Sequence, residues 1–374
     1  MPELLGFILS EGSDAVFYRI KNSDGKQWLI PARNTKTALH IYQPGGRKGK
    51  LLKRFFPLLK NGPFIQKFLG IEQEHFALRL DLKNWLEHYF PNERLEFSIF
   101  CGTPSVHQKI TLQLSSGNKL LGYCKFTNRG EVVTLFNHEQ QILHELHQKG
   151  IDNIPHCLYS GPLTKEVHVF LQTTVKTNQS KMIHRWNIHL WNFLEKLHIH
   201  TRQILPYEET DFYKLLQKLT GRLKQLPERE ATVLQKALQK IEQTYSGREV
   251  NFSAYHADFT PWNMFLENGQ LFVFDFEYTM RTCPPYLDYF HFFTQTRIFE
   301  KHYNGTQLYK VYSQQKKRLH AYFENPDFSY LCYLLLITAI YVNREEEGTE
   351  IKIPALNIWI SMIEKLTGTP CTKN

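Results

Sequence analysis

The pattern of the chain changes once, near Thr173, and that change limits the folds open to it. From about Leu95 the apolar residues recur in steps of two. The runs LEFSIF, HQKITLQL and, across Ser116-Gly117-Asn118, KLLGYCKF read as an antiparallel meander ending in Lys125. A helical stripe of Leu135, Ile142, Leu143 and Leu146 follows in Thr134 to Lys149, with Gly150 as its stop. His156 to Ser160 and Val167 to Gln172 add two more strands. Beyond Thr173 the spacing turns helical, over 182–200, 211–225, 228–245, 308–323, 330–343 and 355–366. One β-like island, Asn263 to Phe276, breaks this run, and Asn268-Gly269 marks it as a hairpin. The order predicts an α+β chain: a small antiparallel sheet with one helix, a short connector, then a mainly helical lobe.

Residues 1–94 precede this pattern. Ala15 to Ile20 and Gln27 to Ile30 flank Asp24-Gly25 and predict a hairpin, and Glu72 to Tyr89 reads as a helix closed by Pro91. Between them lies RKGKLLKRFFPLLK, residues 47–60, in which six cations alternate with Leu and Phe. Such a stretch suits a basic amphipathic helix on an anionic membrane face; it equally suits a surface helix whose Leu51, Leu52, Phe55 and Phe56 pack on the body, with Pro57 an interruption. The expected division is therefore an extension over 1–94, a sheet lobe over 95–173 and a helical lobe over 174–374.

Composition excludes several classes. The longest apolar run, Leu331 to Val342, falls short of the roughly 18–20 residues of a membrane span and predicts a buried helix. The first residues, MPELLGFILSEGSD, carry neither a basic leader nor a full apolar core, so a cytoplasmic protein is expected, with the 47–60 stretch allowing contact with the inner face of the membrane. Six scattered cysteines without a C-x-x-C pair predict reduced thiols, and no H-E-x-x-H frame supports a zinc site among the 17 histidines. With 45 Lys+Arg against 36 Asp+Glu, the net charge of +9 favours anionic partners, yet no nucleic-acid-binding motif accompanies it.

Chemistry concentrates in one segment, HADFTPWNMFLENGQLFVFDFE, residues 256–277. His256, Asp258 and Asn263 form H-x-D-x-x-x-x-N before the hairpin, and Asp275 follows it. Phosphoryl transfer needs this set: a carboxylate to orient a hydroxyl and hard oxygen ligands for magnesium. The segment resembles the aminoglycoside phosphotransferase and choline kinase superfamily, whose signature is that loop followed by D-[FW]-[EDG]; the second half stands here as Asp275-Phe276-Glu277-Tyr278, locally closer to choline kinases. The resemblance implies a bilobal protein kinase-like fold. It makes Asp258 the catalytic base, Asn263 and Asp275 the magnesium ligands, and His256 and Asp288 holders of the loop.

The same resemblance makes Lys125 the lysine that grips nucleotide phosphates and Glu139 its acidic partner. It places a phosphate-covering loop at Cys101 to His107, where Gly102, Thr103 and Ser105 supply donors although no G-x-G-x-x-G is present, and adenine on main-chain groups from Leu171 to Thr173. ATP or GTP with Mg2+ is the implied cofactor. The expected reaction is transfer of the γ-phosphate to a hydroxyl of a small molecule or saccharide. A net basic chain disfavours polycationic acceptors and favours neutral or anionic ones, such as a cell-envelope glycan or a lipid-linked intermediate. A choline or amino-alcohol kinase and a nucleotide-binding pseudokinase scaffold stand as alternatives.

Overall fold

The computed structural model describes residues 2–22, 24–44, 47–59, 71–103, 107–344 and 353–368. The chain divides into two compact units, Met1–Gln148 with Asp152–Met182 and Phe265–Glu277, and Lys149–Ile151 with Ile183–Met264 and Tyr278–Asn374.

The first unit is built on one antiparallel sheet of eight strands. In chain order these are β1 (Leu9–Lys21), β2 (Gln27–Pro31), β3 (Glu72–Leu78), β4 (Glu96–Phe100), β5 (Ile110–Ser116), β6 (Lys119–Thr127), β7 (Cys157–Pro162) and β8 (His168–Thr173). Their spatial order is β3-β1-β2-β4-β5-β6-β8-β7, so strands from the expected extension and from the expected sheet lobe share one ladder, joined by Trp28 opposite Phe100 and Leu29 opposite Ile99.

Alternation gives this sheet two characters. Leu112, Leu114, Cys124, Phe126, Val169 and Leu171 form one face, buried with Leu4 and Ile8 of the helix Pro2–Ile8 and Leu82 and Leu86 of the helix Leu80–Tyr89. Cross-strand partners share a face, as do residues two apart. Because Thr111 opposes Lys125 and Gln113 opposes Tyr123, those four side chains project from the other face. On the β2 and β4 part of the sheet, a second core of Trp28, Ile30, Ala38, Leu39, Tyr42 and Phe56 brings in the single helical turn Thr35–Ala38 and the helix Arg47–Leu59.

Two local expectations are corrected. Glu72 to Tyr89 is not one helix: Glu72–Leu78 is β3, and only Leu80–Tyr89 is helical. Pairing with β1 decides this, since Arg19 reaches Glu74 and Lys21 meets Glu72 at 3.0 Å across the ladder, contacts between strands that no local helical count can anticipate. Pro57 does not interrupt its helix, which runs through it for one further half-turn to Leu59.

The second unit is mainly helical. The apolar run at Leu331 lies in the helix Pro326–Val342, buried on all sides. Around it stand Asp211–Arg222, Glu228–Tyr245, Leu287–Gln295 and Leu356–Thr367. Arg229 binds both carboxylate oxygens of Glu364 at 2.9 and 3.0 Å. Trp186 and Trp191 pack into an aromatic cluster with Tyr289, and Trp191 stacks on Tyr322 at 3.9 Å. A small sheet of β9 (Gln203–Pro206), β10 (Glu249–Tyr255) and β13 (Met280–Cys283) sets the ends of the segment that carries the motif. Within that segment β11 (Met264–Glu267) and β12 (Gln270–Val273) pair through Asn268 and Gly269, both at positive φ as an Asn-Gly hairpin turn requires.

Candidate active site

Lys125 is where the first unit concentrates charge. Its strand, β6, runs inside the sheet, so the residue is only 5% exposed. The ammonium lies 2.8 Å from Glu139 of the helix Gly130–Gln148 and 2.8 Å from Asp275 beyond β12. Glu139 is fully buried and also accepts the Phe276 main-chain N–H at 3.2 Å. Lys109 pairs with Glu277 and stands 3.9 Å from Asp275. Carboxylate oxygens of Glu139, Asp275 and Glu277 thus fall within 4.8 Å of one another, facing two ammonium groups.

Burial by itself lowers the Lys125 ammonium, yet the carboxylates of Asp275, Glu139 and Glu277 reverse this and hold it above the ordinary lysine range. For Glu139 burial dominates and raises its carboxyl, with Lys125 pulling the other way. Three hard carboxylates against two lysines leave one negative charge to neutralise, a donor set that fits a magnesium ion. Asp275 sits at φ +72°, a left-handed conformation rare outside glycine, so the backbone after β12 is bent sharply at this carboxylate.

The catalytic-loop motif lies in the second unit. Asn263 donates to Asp258 Oδ2 at 2.7 Å and to the Asp258 carbonyl at 3.0 Å. The loop is shaped from behind by Asp288, whose oxygens accept the main-chain N–H groups of His256 at 2.9 Å and Ala257 at 3.3 Å. Burial raises the Asp288 carboxyl to about 7 against the lowering effect of these two bonds. His256 accepts the Asp258 N–H on Nδ1 at 3.1 Å, and Ala257 takes φ +70°. Asp258 keeps a third of its side chain open, while its neighbours in the loop are closed in.

The other expected site residues fall as follows. Gly102 has φ +80°, and a Cβ there would meet the Lys109 carbonyl at 2.3 Å, so only glycine allows the ends of the β4–β5 connection to approach. Thr103 is exposed, and Ser105 lies outside the described residues. Leu171 is inside the ladder between β6 and β7 with its side chain in the apolar core. Thr173 ends β8, its N–H given to the His156 carbonyl and its hydroxyl accepting the His156 N–H, each at 2.9 Å.

Sequence reasoning passed over three residues. Glu277 and Lys109 form the second ion pair of the Lys125 group, and the acidic third position of Asp275-Phe276-Glu277 was the available signal for the first. His291, 3% exposed, lies with Nδ1 3.2 Å from the Tyr255 hydroxyl and Nε2 3.4 Å from Asp258 Oδ1; a lone histidine in an aromatic run gives no such signal. Among the described residues Glu139, Asp275 and Glu277 are the group of three or more candidate metal ligands, so the histidines do not assemble one.

A further feature belongs to the sheet face that carries Lys125. Ser98 donates its hydroxyl to the Ala38 carbonyl at 3.1 Å, and Gln113 donates its amide to the Thr37 carbonyl at 3.0 Å. His40 meets Asn178 at 2.9 Å. The segment Asn34 to Tyr42 is thereby tied across the β4 and β5 part of this face.

No family model matches the sequence, and no curated protein matches it. Solved structures do. A thermostable mutant of the aminoglycoside phosphotransferase APH(4)-Ia, in ternary complex with AMP-PNP and hygromycin B, aligns with a TM-score of 0.51 at 10% identity over 78% of this chain and 100% of its own. The apo form of such a mutant aligns at 0.50 and 10% identity over 78% and 99%. The chain has the aminoglycoside phosphotransferase fold. Its bilobal, protein kinase-like plan agrees with the order of elements read from the sequence.

Proposed function

We propose that this protein is an ATP-dependent phosphotransferase that moves the γ-phosphate to a hydroxyl of a small molecule or saccharide. The observation that carries this is the buried Lys125, with Glu139 and Asp275 each 2.8 Å from its ammonium, in a chain that also holds the Asp258 and Asn263 loop. In this reading Lys125 neutralises nucleotide phosphates, Asp258 orients the acceptor hydroxyl and accepts its proton, and Asn263 and Asp275 keep their magnesium roles. Magnesium, when bound, supplies charge neutralisation of the phosphate oxygens. His291 and Asp288 position Asp258. One of the two fold-mates described above is complexed with AMP-PNP and hygromycin B, which supports a nucleotide and a small-molecule acceptor here as well.

For the acceptor, the +9 charge supports a neutral or anionic molecule such as a glycan or lipid-linked intermediate. Peripheral membrane contact has one supporting observation: Leu51, Phe55 and Leu58 are 56%, 41% and 80% exposed on a helix that also carries Lys50 and Arg54. The scaffold alternative is favoured by the segment Asn34 to Tyr42, which occupies part of the face bearing Lys125.

The deciding measurement is phosphate transfer from radiolabelled ATP to a panel of sugars, glycans and amino alcohols by the wild type and Asp258→Asn, with thermal shift in ATP and magnesium alongside. Transfer lost in the variant with the nucleotide shift retained is expected. A wild type that shifts with nucleotide yet transfers phosphate to nothing favours the scaffold, and one that gives neither shift nor transfer sinks both readings.

A further inference from the structure

Lys176 follows the end of β8 and is 8% exposed, more deeply buried than every described lysine but Lys125. Its ammonium lies 5.5 Å over the Phe265 ring and has neither a carboxylate nor a hydrogen-bond acceptor among the described residues. Lys53 approaches from the helix Arg47–Leu59 and spends one of its three donors on the Tyr42 carbonyl at 2.6 Å. The bond between His40 and Asn178, at 2.9 Å, ties the chain two residues from Tyr42 to the chain two residues from Lys176 and so fixes the two lysines in one neighbourhood. The two cations sense each other. Burial, and for Lys176 then the charge of Lys53, lowers both ammoniums to about 8, while burial followed by these lysines holds His40 neutral, at about 4.

Such an arrangement is costly to fold and gains nothing from its own charges. Elsewhere in this unit buried or part-buried cations are matched by carboxylates: Lys125 by Glu139 and Asp275, Lys109 by Glu277, Arg19 by Glu74. Here two lysines of one neighbourhood have, among the described residues, five donors left over, counting three on Lys176 and two on Lys53. The ligand that satisfies them is a dianion with several acceptor oxygens.

We propose that Lys53 and Lys176 form a second anion site, distinct from the Lys125 group, which binds a phosphate monoester. His40 and Asn178 position it by anchoring the Asn34 to Tyr42 segment. The site takes its cations from the N-terminal extension and from the chain after β8, so it exists only when the extension is folded on the sheet. It does not depend on the phosphotransferase reading, since neither lysine belongs to that machinery.

The experiment uses the full chain and titrates inorganic phosphate, glucose 1-phosphate and AMP, by calorimetry and thermal shift, into the wild type, Lys176→Met, Lys53→Met and Lys125→Met. Inorganic phosphate is expected to bind the wild type and raise its Tm. Binding should weaken at least about tenfold in each of the first two variants, because loss of a charged hydrogen-bond partner is worth that much or more; Lys125→Met identifies any phosphate signal that belongs to the Lys125 group instead. Without ligand Lys176→Met is expected to melt higher than the wild type, which separates loss of the site from loss of the fold. Tighter binding of glucose 1-phosphate than AMP assigns the site to a phosphorylated saccharide, and the reverse assigns it to a nucleotide. Absence of phosphate binding by the wild type, or binding that Lys125→Met removes and Lys176→Met leaves intact, overturns the proposal. So does a lower Tm in Lys176→Met with phosphate affinity unchanged, which would leave Lys176 only its contact with Phe265.

Discussion

Lys125 and Lys176 sit in the same unit, 5% and 8% exposed, and their surroundings could hardly differ more. Lys125 is enclosed by carboxylates that hold its ammonium above the ordinary range; among the described residues Lys176 has a ring and another lysine and no carboxylate, and burial drops it to about 8. Burial imposes the same penalty on each, and what differs is who cancels it. Where the chain supplies the counter-charge, the lysine holds structure together. Where it does not, the deficit marks a place that something else fills.

This contrast can be broken most severely at Lys125. Lys125→Met leaves Glu139 and Asp275 facing one another without their cation, so a loss of about 3–5 kcal/mol is expected, read as a fall in the denaturation midpoint at unchanged slope. A neutral effect would show that the acids rather than the lysine set the balance. Glu139→Gln is milder, because the amide oxygen still accepts the Phe276 N–H; about 1–3 kcal/mol is expected in the same measurement.

Lys176→Met sharpens the comparison by moving the other way. Its stabilisation should be largest below about pH 8, where the wild-type ammonium is still charged in the fold. The sign follows from the depressed value: between pH 8 and the ordinary value of 10.5 the unfolded chain binds the extra proton, so wild-type stability rises with pH across that window from this group. Denaturation midpoints taken from pH 7 to 10 should therefore climb less steeply in the variant. An unchanged slope would mean that Lys176 is charged and satisfied in the native state.

How much of this was legible in advance follows from where each partner lies. The His256 to Glu277 segment is local in sequence, so its spacing exposed the hairpin, Asp258, Asn263 and Asp275 together. Lys125 and Glu139 were legible by their order on a strand and the helix after it. Lys109, His291 and the Lys53 and Lys176 pair were not, because their partners are brought by pairing of distant strands or by packing, and a lysine that lacks an acid looks in sequence like any solvated one. β3 was misread for the same reason: Glu72 and Glu74 fall on the same period-two step as Phe76 and Leu78, so the run shows no polar and apolar alternation and only the facing β1 resolves it. The segment Asn34 to Tyr42 was invisible altogether, since Ser98 and Gln113 bind its main-chain carbonyls, which leave no mark on residue identity, and the partner of His40 is distant in sequence.

That segment also bears on how such a gene could be cut and rejoined. A recombination point at residue 94 would look natural, with a recognisable motif set lying wholly downstream. The protein begun there would lose β2 from the flank of β4, leaving an open strand edge prone to pairing between molecules. It would also leave the Ser98 hydroxyl and Gln113 amide, buried at present, without their carbonyl acceptors. Residues 1–94 and the sheet after them are thus bound to be inherited together, and a transplant of the motif-bearing module into another protein must carry both.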